Sequence, residues 1–335
     1  MGRIIMISVV ISLMALAVFF AAPVGAADYP TRAITLICPV TPGGSLDLNA
    51  RAFAGIAEKH LGKPVVVVNK TGGSGAVGTM AVVEGKPDGY TICLGWPSQT
   101  AIIIGEVVND RKPPFTIDDF AILGRMTNSP PLFNVKYDSP WKTMQEVIAD
   151  LKSHPPNTYK LGASGIYSIG HLPMEILNKE AGVKIQLVPV RGGGESIALQ
   201  LGGHTHFSCR YPGPSLPLVK SKQMRVLASF GEERIKNFED VPTFKELGYP
   251  NIFFYSWYGL LAHKDTPAPI LERLRRLVKE VTQDPAYLSM MGKTGDLVDY
   301  ADAEGTKKAW QREYNQILPL IKELEIEKKE KEKKQ

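Results

Sequence analysis

Cysteine is scarce in this sequence: Cys38, Cys93 and Cys209 are the three among 335 residues. No CxxC pair occurs, so neither a dithiol redox centre nor a cysteine-built zinc site is encoded. Three scattered thiols also cannot form a disulfide framework. Cys38 and Cys93 fall in apolar strands, which leaves one disulfide or buried free thiols as the alternatives. A one-sided charge is lacking too. The formal net charge is +5, and the Lys-rich end carries both signs. A nucleic-acid partner is therefore not expected. Beyond residue 22 no apolar run approaches the ~20 residues that a membrane helix needs.

The first 26 residues hold a targeting pattern. Arg3 is followed by the apolar run Ile4 to Ala22, and Pro23-Val24-Gly25-Ala26 ends in small residues. This reads as a secretory leader, cleaved after Ala26 or Ala27, and implies a periplasmic location. An uncleaved anchor is the alternative, because the run is long enough to span. The remaining composition, with 44% hydrophobic and 22% charged residues, is that of a globular protein. The remaining length suffices for two lobes.

Strand-like and helical runs alternate, which argues for an α/β fold with mainly parallel sheets. Strands are expected at 34–40, 65–69, 90–95, 132–135, 160–162, 185–190, 204–209, 226–230 and 253–261. Helices are expected at 46–60, 75–83, 143–152, 169–180, 195–201, 270–283 and 306–324. Lobe 1 would be 27–127 with 255–322, and lobe 2 would be the inserted 128–254. Residues 323–335 alternate Lys and Glu with little apolar content, as a frayed helix end or a disordered tail does.

Three glycine turns lie between a strand and a helix. Pro42-Gly43-Gly44-Ser45-Leu46-Asp47 precedes the first helix. Gly43 and Gly44 permit close approach of a ligand. The first N–H groups of the helix lack internal partners and suit an anion. Asp47 and Arg51 read as helix-start residues. Gly162 to His171 repeats the logic around Ser164 and Gly165, with His171 either orienting the loop or touching the ligand. Arg191-Gly192-Gly193-Gly194 is the third turn, and Arg191 offers a fork for a carboxylate or for Glu195. A fourth pattern, Gly73-x-Gly75-x-x-Gly78, matches a dinucleotide fingerprint. It lacks the acidic residue ~20 positions on, so tight helix packing is the better reading. No cofactor is expected. His204-x-His206 would need a further ligand to hold a metal, and none is expected.

These segments in this order resemble the substrate-binding receptors of tripartite tricarboxylate transporters, the Bug family of periplasmic proteins. The resemblance covers nearly the whole chain after the leader. It rests on Tyr29 to Arg32, Pro39 to Arg51, Gly62 to Lys70, Gly72 to Gly78 and Pro87 to Thr91. It continues through Ser164-Gly165, His171-Leu172, Pro189-x-Arg191-Gly192, Gly202-Gly203, Val241 to Thr243 and Glu246 to Tyr249. It implies a two-lobed, Venus-flytrap fold of the type II periplasmic-binding-protein class, each lobe a mostly parallel sheet flanked by helices. It implies capture of a small organic carboxylate without catalysis, and delivery to membrane subunits of the transporter. The contacts would fall on Gly43, Gly44, Ser45, Ser98, Ser164, Gly165, His171, Arg191 and Gly192. A membrane sensor as partner is one alternative, and an exported hydrolase using Ser164 and His171 is another. A monomer is expected. Val190, His206 and Leu46 depart from the family pattern. Val190 and Leu46 suggest an apolar rim, suited to an aromatic or longer aliphatic carboxylate rather than citrate.

A magnitude makes both halves necessary. Micromolar affinity needs about 8 kcal/mol. One helix N-terminus supplies at most ~2 kcal/mol, and each charge-assisted hydrogen bond ~1.5–3 kcal/mol. One turn is too little, whereas two opposed turns are enough.

Overall fold

The structure, a computed structural model, describes residues 29–163, 167–190, 193–294 and 296–332. The leader expected over the first 26 residues, Ser164, Gly165, Arg191 and Gly192 lie outside the described residues. The chain begins β1 (Ile34–Cys38), α1 (Ser45–Leu61), β2 (Val65–Asn69), α2 (Ala76–Val83), β3 (Thr91–Gly95), α3 (Pro97–Val108) and β4 (Phe120–Ser129). It continues β5 (Leu132–Lys136), α4 (Met144–Ser153), β6 (Lys160–Ala163), α5 (Leu172–Ala181), β7 (Gln186–Pro189), α6 (Gly193–Leu201), β8 (Phe207–Arg210), α7 (Pro212–Lys220) and β9 (Met224–Ser229). It ends β10 (Ser256–His263), α8 (Ala268–Gln283), α9 (Pro285–Thr294), β11 (Val298–Ala301) and α10 (Ala303–Glu332).

Two sheets result. The first has the order β11-β4-β10-β3-β1-β2, and the second β7-β6-β8-β5-β9. Both are mixed rather than mostly parallel. β1 pairs in parallel with β2 and β3, and β6 with β7 and β8. β10 is antiparallel to β3 and β4, and β5 to β8 and β9. The antiparallel strands β5 and β10 each follow a passage of the chain from one sheet to the other.

Burial explains the individual elements. In α1, Ala50, Phe53, Ala54 and Ala57 are buried, a helical stripe facing the sheet. Gly62 ends this helix in the left-handed region, with its N–H on Glu58 O at 2.8 Å. The edge strand β2 exposes Val66 and Val68. Ile37 and Cys93 are in register across β1 and β3. Neighbouring residues on a strand face opposite sides, so Cys38 joins one core cluster and Cys93 another. That alternation rules out the Cys38–Cys93 disulfide, and all three thiols are free and buried.

Five elements escape the sequence reading: α3, β4, α7, α9 and β11. In α7, Pro212, Pro214 and Pro217 imitate a loop. Pro212 and Pro214 sit in the first turn, where the missing N–H is no loss. Of the two alternatives for the charged end from 323, a helix end or disorder, the structure shows helix, because α10 continues to Glu332. Its early part buries Trp310 with Trp257 and Phe120. Further on, Ile317, Leu320 and Ile321 join the core beneath the second sheet. Glu325 is itself buried and accepts from Tyr167 Oη at 2.5 Å, so the charged sequence caps a packed helix. Among the described residues, no helix is long and apolar enough to cross a membrane.

Candidate functional site

The carboxyl ends of β1, β3, β6, β7 and β8 each feed a helix start. In an open α/β sheet this edge is where ligands bind. Two residues of the second sheet's loops reach the first sheet's core. Ile169 packs against both core clusters. Tyr211 packs against Tyr258, with ring centroids 5.4 Å apart, and its hydroxyl bonds Ser256. The loops at the two sets of helix starts therefore meet.

On the first side, Gly43 is in the left-handed region at φ 87°, and Gly44 is the N-cap of α1. The turn is held by Asp47, which is 1% exposed. Its carboxylate accepts from Gly43 N at 2.9 Å, Arg51 Nε at 2.9 Å and Asn69 Nδ2 at 2.8 Å. Asn69 Nδ2 also reaches Val40 O at 3.0 Å, and Arg51 reaches Asn69 Oδ1 at 2.9 Å. Burial alone would raise the Asp47 carboxyl, but these hydrogen bonds and the Arg51 charge hold it below its ordinary value. The Gly43 N–H is thus spent on Asp47. Within α1, the N–H groups of Ser45 and Leu46 have no earlier carbonyl to bond. Leu46 does not form an apolar rim. It is buried in the core with Trp96 and Ala50.

Ser98 lies in the first turn of α3 and is half-buried between buried neighbours. Behind it, Gln99 fixes the turn by accepting from Trp96 N at 3.2 Å and donating to Thr79 Oγ1 at 3.1 Å. The GxGxxG segment serves packing. A Cβ on Gly78 would stand 2.5 Å from Lys70 O and 2.7 Å from Pro39 Cβ, and one on Gly75 would strike the Trp96 ring.

On the second side, His171 is buried and both of its ring nitrogens are engaged. Nδ1 accepts from Tyr167 N at 3.0 Å, which leaves Nε2 to donate to Glu175 Oε1 at 3.0 Å. Burial works to raise the Glu175 carboxyl, but His171 and Asn178 hold it below its ordinary value. Tyr167 sits in the left-handed region at φ 62°, unusual for an aromatic residue. It is clamped by His171 at its backbone and Glu325 at its hydroxyl.

The model of the tripartite tricarboxylate transporter family receptor matches residues 49–326. The chain belongs to this receptor family. Protein BugT of Bordetella pertussis is 31% identical over 276 residues, 82% of this chain and 84% of that one. Among solved structures, a TctC solute binding protein from Polaromonas shares 30% identity and a TM-score of 0.71 over 88% of this chain and 99% of its own. An R. palustris protein solved with adipate shares 26% identity and a TM-score of 0.80 over 88% and 98%.

The family and fold are those of solute-binding proteins, not enzymes. The receptor's own geometry agrees. With both nitrogens of His171 occupied, a general base would first have to break a bond in its loop. A separate cavity of about 600 Å³ is lined by Asn128, Pro130, Phe253, Tyr255, Trp257 and Gln316 among others. None of the nine residues expected at the site lines it. Four of the charges on its wall pair with one another, Arg125 with Asp299 at 2.6 Å and Arg312 with Glu232 at 3.5 Å. The receptor also holds a residue that the sequence reading passed over, the buried Arg210 at the end of β8. Its one sequence signal was a charge closing an apolar strand.

Proposed function

We propose that this receptor captures an organic carboxylate in the cleft between the two sheets' loops and delivers it to a tripartite tricarboxylate-type membrane transporter. The carrying observation is the meeting of the loops at the two sets of helix starts, through Ile169 and Tyr211. Gly44, Ser45 and Ser98 would grip the ligand from the first side. Ser164, Gly165, Arg191 and Gly192 would grip it from the second, with His171 shaping their loop and Gly43 shaping the first. Lobes 27–127 with 255–322 and 128–254 would close by rotation at the crossings. The leader would place the receptor in the periplasm, where a monomer would meet its partner. The adipate bound in a relative supports the ligand class.

The test is a thermal-shift titration with adipate, malate and benzoate against a sugar and an amine. At 100 times Kd, stabilisation is about 2.7 kcal/mol, a shift of several degrees. The reading predicts that shift for at least one carboxylate. A shift with the sugar or amine alone contradicts it.

A further inference from the structure

Arg210 ends β8 with only 6% of its surface exposed. Its Nε–H donates to Ser208 Oγ at 2.8 Å, and one terminal nitrogen donates to Gly193 O at 3.3 Å. The other donates to Ser196 Oγ at 3.4 Å and Gln200 Oε1 at 3.3 Å. Every acceptor is neutral. Among the described residues, no carboxylate stands within ion-pair distance of it. The adjacent Cys209 is no counter-charge either, because burial pushes its thiol well above its ordinary value and it stays uncharged at neutral pH. Burial lowers the Arg210 guanidinium to about 10, which leaves it charged at neutral pH.

A buried charge is costly when no opposite charge meets it. Hydrogen bonds to neutral oxygens satisfy its donors but leave its field. Here the field is reinforced, because Gly193 and Ser196 belong to the first turn of α6, the positive end of that helix. A polar strip leads inward from the cation: Ser208 donates to Gln200 Oε1 at 2.6 Å, and Gln200 donates to Asn134 O at 2.9 Å. This strip offers no acid either. By contrast, Arg125, whose side chain is 14% exposed, is met by Asp299 at 2.6 Å.

We infer that Arg210 is the standing counter-charge of the ligand, and that it draws a carboxylate group onto the α6 start, on the second sheet's side of the cleft. The inference rests on the carboxylate reading proposed above and deepens it. The first side holds and orients the ligand. The second side selects its charge. Arg210 acts through the α6 turn rather than by touching the ligand, so it is a positioning residue.

The test compares adipate with its neutral isostere adipamide by calorimetric titration of the mature chain. Arg210→Lys keeps the charge, and Arg210→Gln removes it. Ser196→Asp supplies an internal carboxylate beside the guanidinium, at the loss of the Ser196 Oγ hydrogen bond to Gly162 O at 2.7 Å. In the wild type, adipate should bind at least 100-fold more tightly than adipamide. Arg210→Lys should keep that preference within about threefold. Arg210→Gln and Ser196→Asp should each weaken adipate at least tenfold while moving adipamide less than threefold. Equal losses for both ligands, or equal losses in the Lys and Gln variants, would reduce Arg210 to a structural role. If Arg210→Gln does not fold, Ser196→Asp carries the same comparison, and an unchanged adipate preference there overturns the inference. A wild type that binds both ligands alike removes the carboxylate reading itself, a separate and recognisable failure.

Discussion

At the β1–α1 turn the buried charge has a partner, whereas at the end of β8 the buried charge has none. Asp47 is met by Arg51, Asn69 and the Gly43 N–H. Arg210 is met by neutral oxygens. A self-neutralised turn is rigid and nearly indifferent to the charge of what it binds. An unbalanced one is biased toward an anion before any ligand arrives. The difference divides labour across the cleft between shape on one side and charge on the other.

Breaking the first side should have the largest effect on folding. Asp47→Ala strands Asn69, Arg51 and the Gly43 N–H. Discounted for the half-exposed Arg51, the expected loss is about 3 kcal/mol in urea unfolding. Its pH signature has a definite sign. A carboxyl lowered on folding contributes above its unfolded pKa of 3.8, and that contribution is lost as pH falls through the folded value. Asp47→Asn should therefore flatten the acid limb of the stability profile. An unchanged acid limb would show that Asp47 is not what holds the turn.

A remote group supplies the opposite sign and so sharpens the contrast. Glu313 is buried, and desolvation raises its carboxyl to about 7, against the pull of Thr100 and Trp257. Trp257 Nε1 donates to its Oε2, while Oε1 lacks a partner. A raised carboxyl favours the fold at low pH, and that contribution is lost as pH rises through about 7. Wild-type stability should fall between pH 5 and 8 by something on the order of 2–3 kcal/mol. Glu313→Gln should remove most of that slope and leave adipate binding unchanged. A retained slope would assign the pH response to another group.

Smaller effects come from the glycines behind the first side. Gly78→Ala drives a Cβ into Lys70 O and Pro39. It should cost about 2 kcal/mol and weaken ligand binding by displacing the residue that follows β1. Gly55→Ala has open space in the middle of α1 and should stabilise by about 0.5–1 kcal/mol with no change in binding. Two equal thermal shifts would mean that Gly78 is not a packing glycine.

Much of this arrangement was legible in the chain. The apolar strand 34–38, the valine strand 65–69 and the glycine turns behind them follow local rules that need no tertiary knowledge. α7 was hidden because three prolines look like a loop until their positions in the first turns are known. The opposed faces of Cys38 and Cys93 depend on register, which neighbouring strands set together. The mixed sheets depend on where the chain crosses. Arg210 was hidden for the deepest reason. An unmatched charge is a property of everything around it, and its neighbours come from residues 193, 196, 200 and 208 on two elements. Arg191 is the more conspicuous arginine in the sequence, because it stands in a glycine turn.

The most direct measurement is a crystal structure of the receptor with adipate. The account predicts one carboxylate against the start of α6, above Arg210, and the rest of the ligand reaching toward Gly44, Ser45 and Ser98. Adipate found instead in the cavity beside Phe253 and Tyr255, with the cleft between the helix starts empty, would contradict it.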